Sequence, residues 1–192
     1  VDMARIKLEW QHRQNTLRGV PLRERALAAL PRVAPRLWRL GPLLDRAASS
    51  AGRRLLRLAP ARRLPRWSRS PWRDAEAQGA RPRASRGGSP PERAAPNGPP
   101  DAVLFVDTFT RWFEPEIARA ALRLLGAGPW RVGVARPAGA SERPLCCGRT
   151  FLSAGMLEEA RQEVHRAVGA LAPHARAGAW VVGLEPSCLY TL

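Results

Sequence analysis

Cys146 and Cys147 stand side by side in front of Gly148, and the third cysteine of the chain, Cys188, follows Pro186 and Ser187. Three thiols form no closed disulfide set. An adjacent pair suits metal ligation or redox chemistry in a reducing compartment better than a secreted framework. Thiolates are soft, anionic metal ligands. A glycine beside them lets the backbone come close without a Cβ clash. The opposing reading is plain: a buried cysteine often serves only as a small hydrophobe. Other candidates are weaker. His12, His165 and His174 have no metal-type spacing and read as surface residues. Ser187 lacks a nucleophile-elbow context. Gly126-Ala127-Gly128 lacks the third glycine of a dinucleotide loop and follows a helical pattern, so it reads as a cap.

The elements that must position the cysteines lie in residues 101–192. The apolar run 102–107 has the character of a strand buried on both faces. Pro115 opens a helical pattern with Ile117, Ala120, Ala121, Leu124 and Leu125 on one face, ended by Gly126 and Gly128. A second strand is expected from Trp130 to Ala135. A longer helix is expected from Gly155 to Leu171, with Met156, Ala160, Val164, Ala167, Val168 and Leu171 inward and Glu158, Glu159, Arg161, Glu163 and Arg166 outward. Trp180 to Leu184 would be the third strand. Strand–helix–strand–helix–strand predicts an α/β fold, a small parallel sheet flanked by helices. Ligands of such sheets collect outside the carboxyl ends of the strands. Asp107–Thr108, Cys146–Cys147–Gly148 and Glu185–Pro186–Ser187–Cys188 all follow strands, so they should meet at one edge.

Residues 1–73 are rich in Leu, Ala and Arg and are cut by seven prolines, which predicts short helices, the first from Asp2 to Leu17 and the next from Leu22 to Leu30. Residues 74–100 read as a Pro/Gly/Ser/Arg linker with nothing to bury. The net charge is +16, and residues 1–100 hold nearly all of it, with 22 basic and 7 acidic groups. Two origins stay open: an anionic partner, or an Arg-rich composition on solvated surfaces. Trp10, Trp38, Trp67 and Trp72 could stack on bases, but anchoring of short helices is the stronger reading, and nucleic acid is not the expected partner. The mixture of Leu, Trp and Arg from Leu37 to Arg69 also suits an interfacial membrane segment. No stretch reaches the length of a spanning helix and no signal peptide is visible, so the expected location is cytoplasmic, with peripheral attachment to the inner face of the plasma membrane as an extension.

The segments VLFVDTFTRWFEPEIARAALRLL, RPLCCGRTFLSAGMLEEAR and VVGLEPSC resemble the cysteine-rich CCG domain. That domain occurs in iron–sulfur subunits of glycolate oxidase, anaerobic glycerol-3-phosphate dehydrogenase and heterodisulfide reductase, and in fused FAD/iron–sulfur proteins of the D-lactate dehydrogenase type. The opening VDMARIKLEW resembles the stretch that follows a ferredoxin-like cysteine motif in those proteins. The resemblance implies a single CCG repeat over 101–192, preceded by a basic helical region and a linker. Its implied function is the electron-transferring, iron–sulfur portion of a FAD-linked 2-hydroxy-acid dehydrogenase acting on D-lactate or glycolate. Cys146, Cys147 and Cys188 would be ligands of a partial 4Fe-4S site, with Gly148, Pro186 and Ser187 beside it. The implied partners are a FAD-binding domain or subunit, a ferredoxin-like segment before Val1 and a second CCG repeat after Leu192. The chain departs from the fuller repeat in two places, where Asp107 or Thr108 and Glu185 replace cysteines and could offer only oxygen ligands. Two alternatives accompany this expectation: a metal-free scaffold repeat, and a basic peripheral anchor of the same enzyme.

Overall fold

The computed structural model describes residues 2–47, 64–79, 98–139 and 143–192. The chain begins with α1 (Met3–Arg18), α2 (Leu22–Ala28), α3 (Leu30–Leu37) and α4 (Gly41–Ala47). Asp2 caps α1 by accepting the Arg5 amide. The prolines cut the zone less cleanly than their number suggests. The expected helix through Leu30 breaks at Ala29, Pro31 falls in the first turn of α3, where a missing N–H costs little, and Pro35 is carried inside that helix. Much of the segment from Leu37 to Arg69, read above as interfacial, lies outside the described residues.

The sheet is built from β1 (Ala102–Phe105), α5 (Thr108–Trp112), α6 (Pro115–Gly126), β2 (Val132–Val134), α7 (Arg149–Ser153), α8 (Leu157–Arg176), β3 (Trp180–Gly183) and α9 (Pro186–Leu189). All three strands are parallel in the order β2-β1-β3, with Ala102 opposite both Val132 and Trp180. The α/β class with a small flanked parallel sheet is therefore the fold of this chain.

Alternation along β1 assigns its two faces. Leu104 and Val106 pack with Val134 and Ala118, which sits on α6. Val103 and Phe105 pack on the other side with Ala167 and Leu171 of α8, and Cys147 and Cys188 join that cluster. Helices on opposite faces of a sheet ordered 2-1-3 make the gap between the ends of β1 and β3 a switch point, where successive connections diverge.

Two helix faces differ from the periodic reading. On α6 the fully buried residue is Ala118, while Ile117 is 44% and Leu124 77% exposed. The small side chain at 118 lets the helix settle on the sheet there, and this rotates the apolar stripe. On α8 the inward Ala160, Ala167 and Leu171 are as expected, but Val168 is exposed and Glu163, read as outward, is completely buried. The helix also runs through Pro173 to Arg176.

The first zone lies against this unit. His12 meets the Gly155 carbonyl at 3.1 Å through Nδ1, and Asn15 donates to the Ala154 carbonyl at 2.7 Å, so His12 is not a free surface residue. Thr150 donates to the Ala28 carbonyl at 2.9 Å. Trp38 stacks on Trp112, Trp67 lies 4.7 Å from Phe113 between ring centres, and Trp72 is buried beside Leu104 and Val106. Trp10 remains exposed. The beginning of the stretch read as a linker also packs: Asp74–Gly79 is a turn of 3-10 helix, and its Ala77 is buried in the Trp72 cluster. Residues 80–97 lie outside the described residues. Among the described residues no helix is long and apolar enough to cross a membrane.

Candidate thiol site at the sheet edge

Each strand is followed by a short helix, and the cap of that helix sets the edge. After β1, Asp107 turns the chain into α5. Its Oδ1 accepts the Phe109 amide at 2.8 Å and the Thr110 amide at 3.1 Å, and its Oδ2 accepts the Thr110 hydroxyl at 2.5 Å. After β3, Glu185 caps α9 by accepting the Ser187 amide, with Pro186 in the first turn. Asp107 and Glu185, weighed above as oxygen ligands, thus serve as helix caps, and Asp107 is fully engaged in that task.

Between them comes the loop after β2. Gly148 has φ of +81°, the left-handed region a side chain disfavours. A Cβ there would lie 2.6 Å from the Ala160 carbonyl oxygen of α8. Glycine is required for close approach, as the sequence suggested, but what approaches is the backbone of α8. The turn that Gly148 makes leaves Cys146 and Cys147 facing inward, and its amide donates weakly to Cys146 Sγ at 3.4 Å.

The three cysteines do meet. They line one cavity of about 380 Å³ together with Thr108, Glu185 and Ser187. Gly148 and Pro186 do not line it. Cys147 Sγ lies 3.0 Å from Cys188 Sγ across 41 positions of sequence, and all three thiols are free. Exposure is 3%, 2% and 5% for Cys146, Cys147 and Cys188, so little of each thiol reaches the surface. The hydrogen bond with Cys147, together with burial, pushes the Cys146 thiol up. Cys147 is drawn down by its bond with Cys146, but contact with Cys188 and burial outweigh this and leave it pushed up to about 12. Both shifts favour the protonated thiol.

Such a set does not fit an iron–sulfur cluster in this arrangement. Two thiolates on one tetrahedral metal, with metal–sulfur bonds of about 2.3 Å, stand roughly 3.7 Å apart. In a cluster each thiolate binds its own iron, which sets the sulfurs further apart still, whereas Cys147 and Cys188 are in contact at 3.0 Å, and Asp107 is committed to capping α5. Among the described residues no group of three or more His, Cys, Asp or Glu side chains is placed to hold a metal ion. A cluster would require the sulfurs to part and the thiols to ionise.

A second polar centre escaped the sequence reading. Glu163 accepts hydrogen bonds from Arg143 through both carboxylate oxygens, from Arg32 Nε at 3.2 Å and from Arg166 Nη1 at 3.1 Å. Arg32 also lies 4.6 Å over the Phe151 ring. Burial pushes the Glu163 carboxyl up, but the guanidiniums, Arg143 foremost, outweigh it and hold the group below its ordinary value. The Glu163–Arg166 spacing was legible as a helical i,i+3 pair, but nothing in the sequence pointed to Arg32 or Arg143. Compared with family models, with curated proteins and with solved structures, the chain matches none.

Proposed function

We propose that this chain is the cysteine-bearing, electron-transferring module of a FAD-linked oxidoreductase of 2-hydroxy acids, D-lactate or glycolate, working in the cytoplasm. One observation carries the reading: three cysteines from the loop after β2 and from α9 come together at the switch-point edge of a parallel sheet, where α/β folds keep their chemistry. The motifs that deliver them are those whose resemblance to the CCG domain suggested the activity. In this reading the flavin and the hydroxy acid belong to a partner protein or domain. The chain's own residues hold three largely buried thiols along one cavity, on a frame fixed by the Asp107, Gly148 and Glu185 turns.

A second reading, a metal-free scaffold repeat, is favoured by the sulfur contact and by the capping roles of Asp107 and Glu185. One experiment separates the two. The flavoprotein complex containing this chain is given D-lactate or glycolate, and flavin bleaching and dye reduction are followed for the native chain and for the double variant Cys147→Ser, Cys188→Ser. The electron-transfer reading expects flavin bleaching to persist while dye reduction falls to the level of the flavoprotein alone. Unchanged dye reduction would overturn it and leave the scaffold.

A further inference from the structure

The contact between Cys147 and Cys188 has a chemistry that needs no cofactor. Their sulfurs are 3.0 Å apart, inside van der Waals contact, and a change of about 1 Å would bring them to bonding distance. Cys147 lies in the loop after β2 and Cys188 in the short helix α9, 41 positions apart in sequence. Cys146 is less suited as a partner for Cys147. Neighbouring Cα atoms across a trans peptide are about 3.8 Å apart, short of the roughly 4.4–6.8 Å that disulfides span. We infer that Cys147 and Cys188 are a two-electron dithiol/disulfide couple, an oxidation site for small hydroperoxides at the β1/β3 edge. This rests on the sulfur geometry alone and is independent of the flavoprotein assignment.

The class of oxidant follows from burial. Residues 2% and 5% exposed present little surface to a protein partner, but both line the cavity, which suits an oxidant as small as a hydroperoxide. In the first step one sulfur of the pair attacks the terminal peroxide oxygen as its proton passes to the departing oxygen. The O–O bond breaks, the sulfur becomes a sulfenic acid, and the alcohol or water leaves with the proton the thiol gave up. In the second step the neighbouring thiol attacks that sulfur, an S–S bond forms, the S–O bond breaks, and water departs with the second proton. The two sulfurs lose two electrons together and the peroxide gains two. Because the resolving sulfur is already in contact, the sulfenic acid is intercepted before it can climb to sulfinic acid. The product bond ties the loop after β2 to the start of α9 and closes the edge of the cavity.

The test uses the whole chain, fully reduced and then treated with hydrogen peroxide. The reaction is quenched in acid, the chain is unfolded, free thiols are alkylated with a maleimide, and peptides are mapped by mass without reduction. The expected result is the loss of two alkylated thiols in one step, a Cys147–Cys188 crosslink, an alkylated Cys146, and full reversal by a dithiol reductant. Cys146→Ser keeps the two-thiol step, while Cys147→Ser and Cys188→Ser abolish it. Melting of the native chain gives a second readout, because a bond closing a loop of 41 positions raises the thermal midpoint of the oxidised form. Three alkylated thiols at every peroxide dose would overturn the inference. So would a crosslink through Cys146, or sulfinic acid at Cys147 or Cys188 without a crosslink.

Discussion

Replacing Glu163 with Gln tests how the helical N-terminal zone is held to the sheet. The substitution keeps shape and some hydrogen bonding but removes the carboxylate charge that Arg32, Arg143 and Arg166 share. Breaking a fully buried ion pair from one side costs about 3–5 kcal/mol. Here the carboxylate is fully buried while the three arginine side chains keep 24–35% of their surface, so water relieves part of the stranded positive charge. The expected loss therefore falls below that range, at about 2–3 kcal/mol. With a urea slope of about 2 kcal/mol per molar, the midpoint should fall by roughly 1–1.5 M. The pH dependence has a definite sign. The Glu163 carboxyl is held below its ordinary value of 4.5 in the folded chain, so its contribution is complete above that value and disappears as pH falls through the folded value. The gap between native chain and variant should thus be full at neutral pH and shrink in acid, below about pH 4. A midpoint within about 0.3 M of the native one at neutral pH would refute the argument. A gap that stays constant into acid would refute its electrostatic part.

Gly148→Ala should destabilise the fold by about 3 kcal/mol, adding roughly 1–2 kcal/mol for the left-handed backbone to the cost of pushing α8 away from the new Cβ; a urea midpoint shifted by less than a third of that would show the turn to be adaptable. Trp72→Ala removes a ring only 2% exposed from the cluster on the α6 face of the sheet and should cost about 3–5 kcal/mol, read by the same titration. A loss below about 1 kcal/mol would mean that residues 64–79 pack only superficially.

The strands and the meeting of the cysteines were legible because both follow from local patterns. Short apolar runs flanking one amphipathic helix specify parallel pairing, and the strand-end rule then brings Cys146, Cys147 and Cys188 to one edge. What escaped depended on tertiary partners. Helical periodicity puts Glu163 on the polar face, and only the distant Arg32 and Arg143 make its burial affordable. The inward face of α6 was misjudged because small Ala118, rather than the larger Ile117 and Leu124, suits close contact with a sheet. Asp107 carried a readable signal, an acidic residue just before a helix, but its position in the CCG-like motif drew attention to ligation instead of capping. The short helices α5, α7 and α9 are too brief to show any period at all.

The strand order β2-β1-β3 also shapes how the chain folds. The strand made first in sequence is the one in the middle, and its second neighbour pairs Ala102 with Trp180, near the end of the described chain. Such pairings close long loops before any contact rewards them, so the sheet should form late and in one cooperative event. During synthesis β1 leaves the ribosome well before β3 exists, and its apolar residues 102–106 must wait with one edge unpaired. In that interval the strand is a template for any other extended chain, and the helices on either side are what shield it.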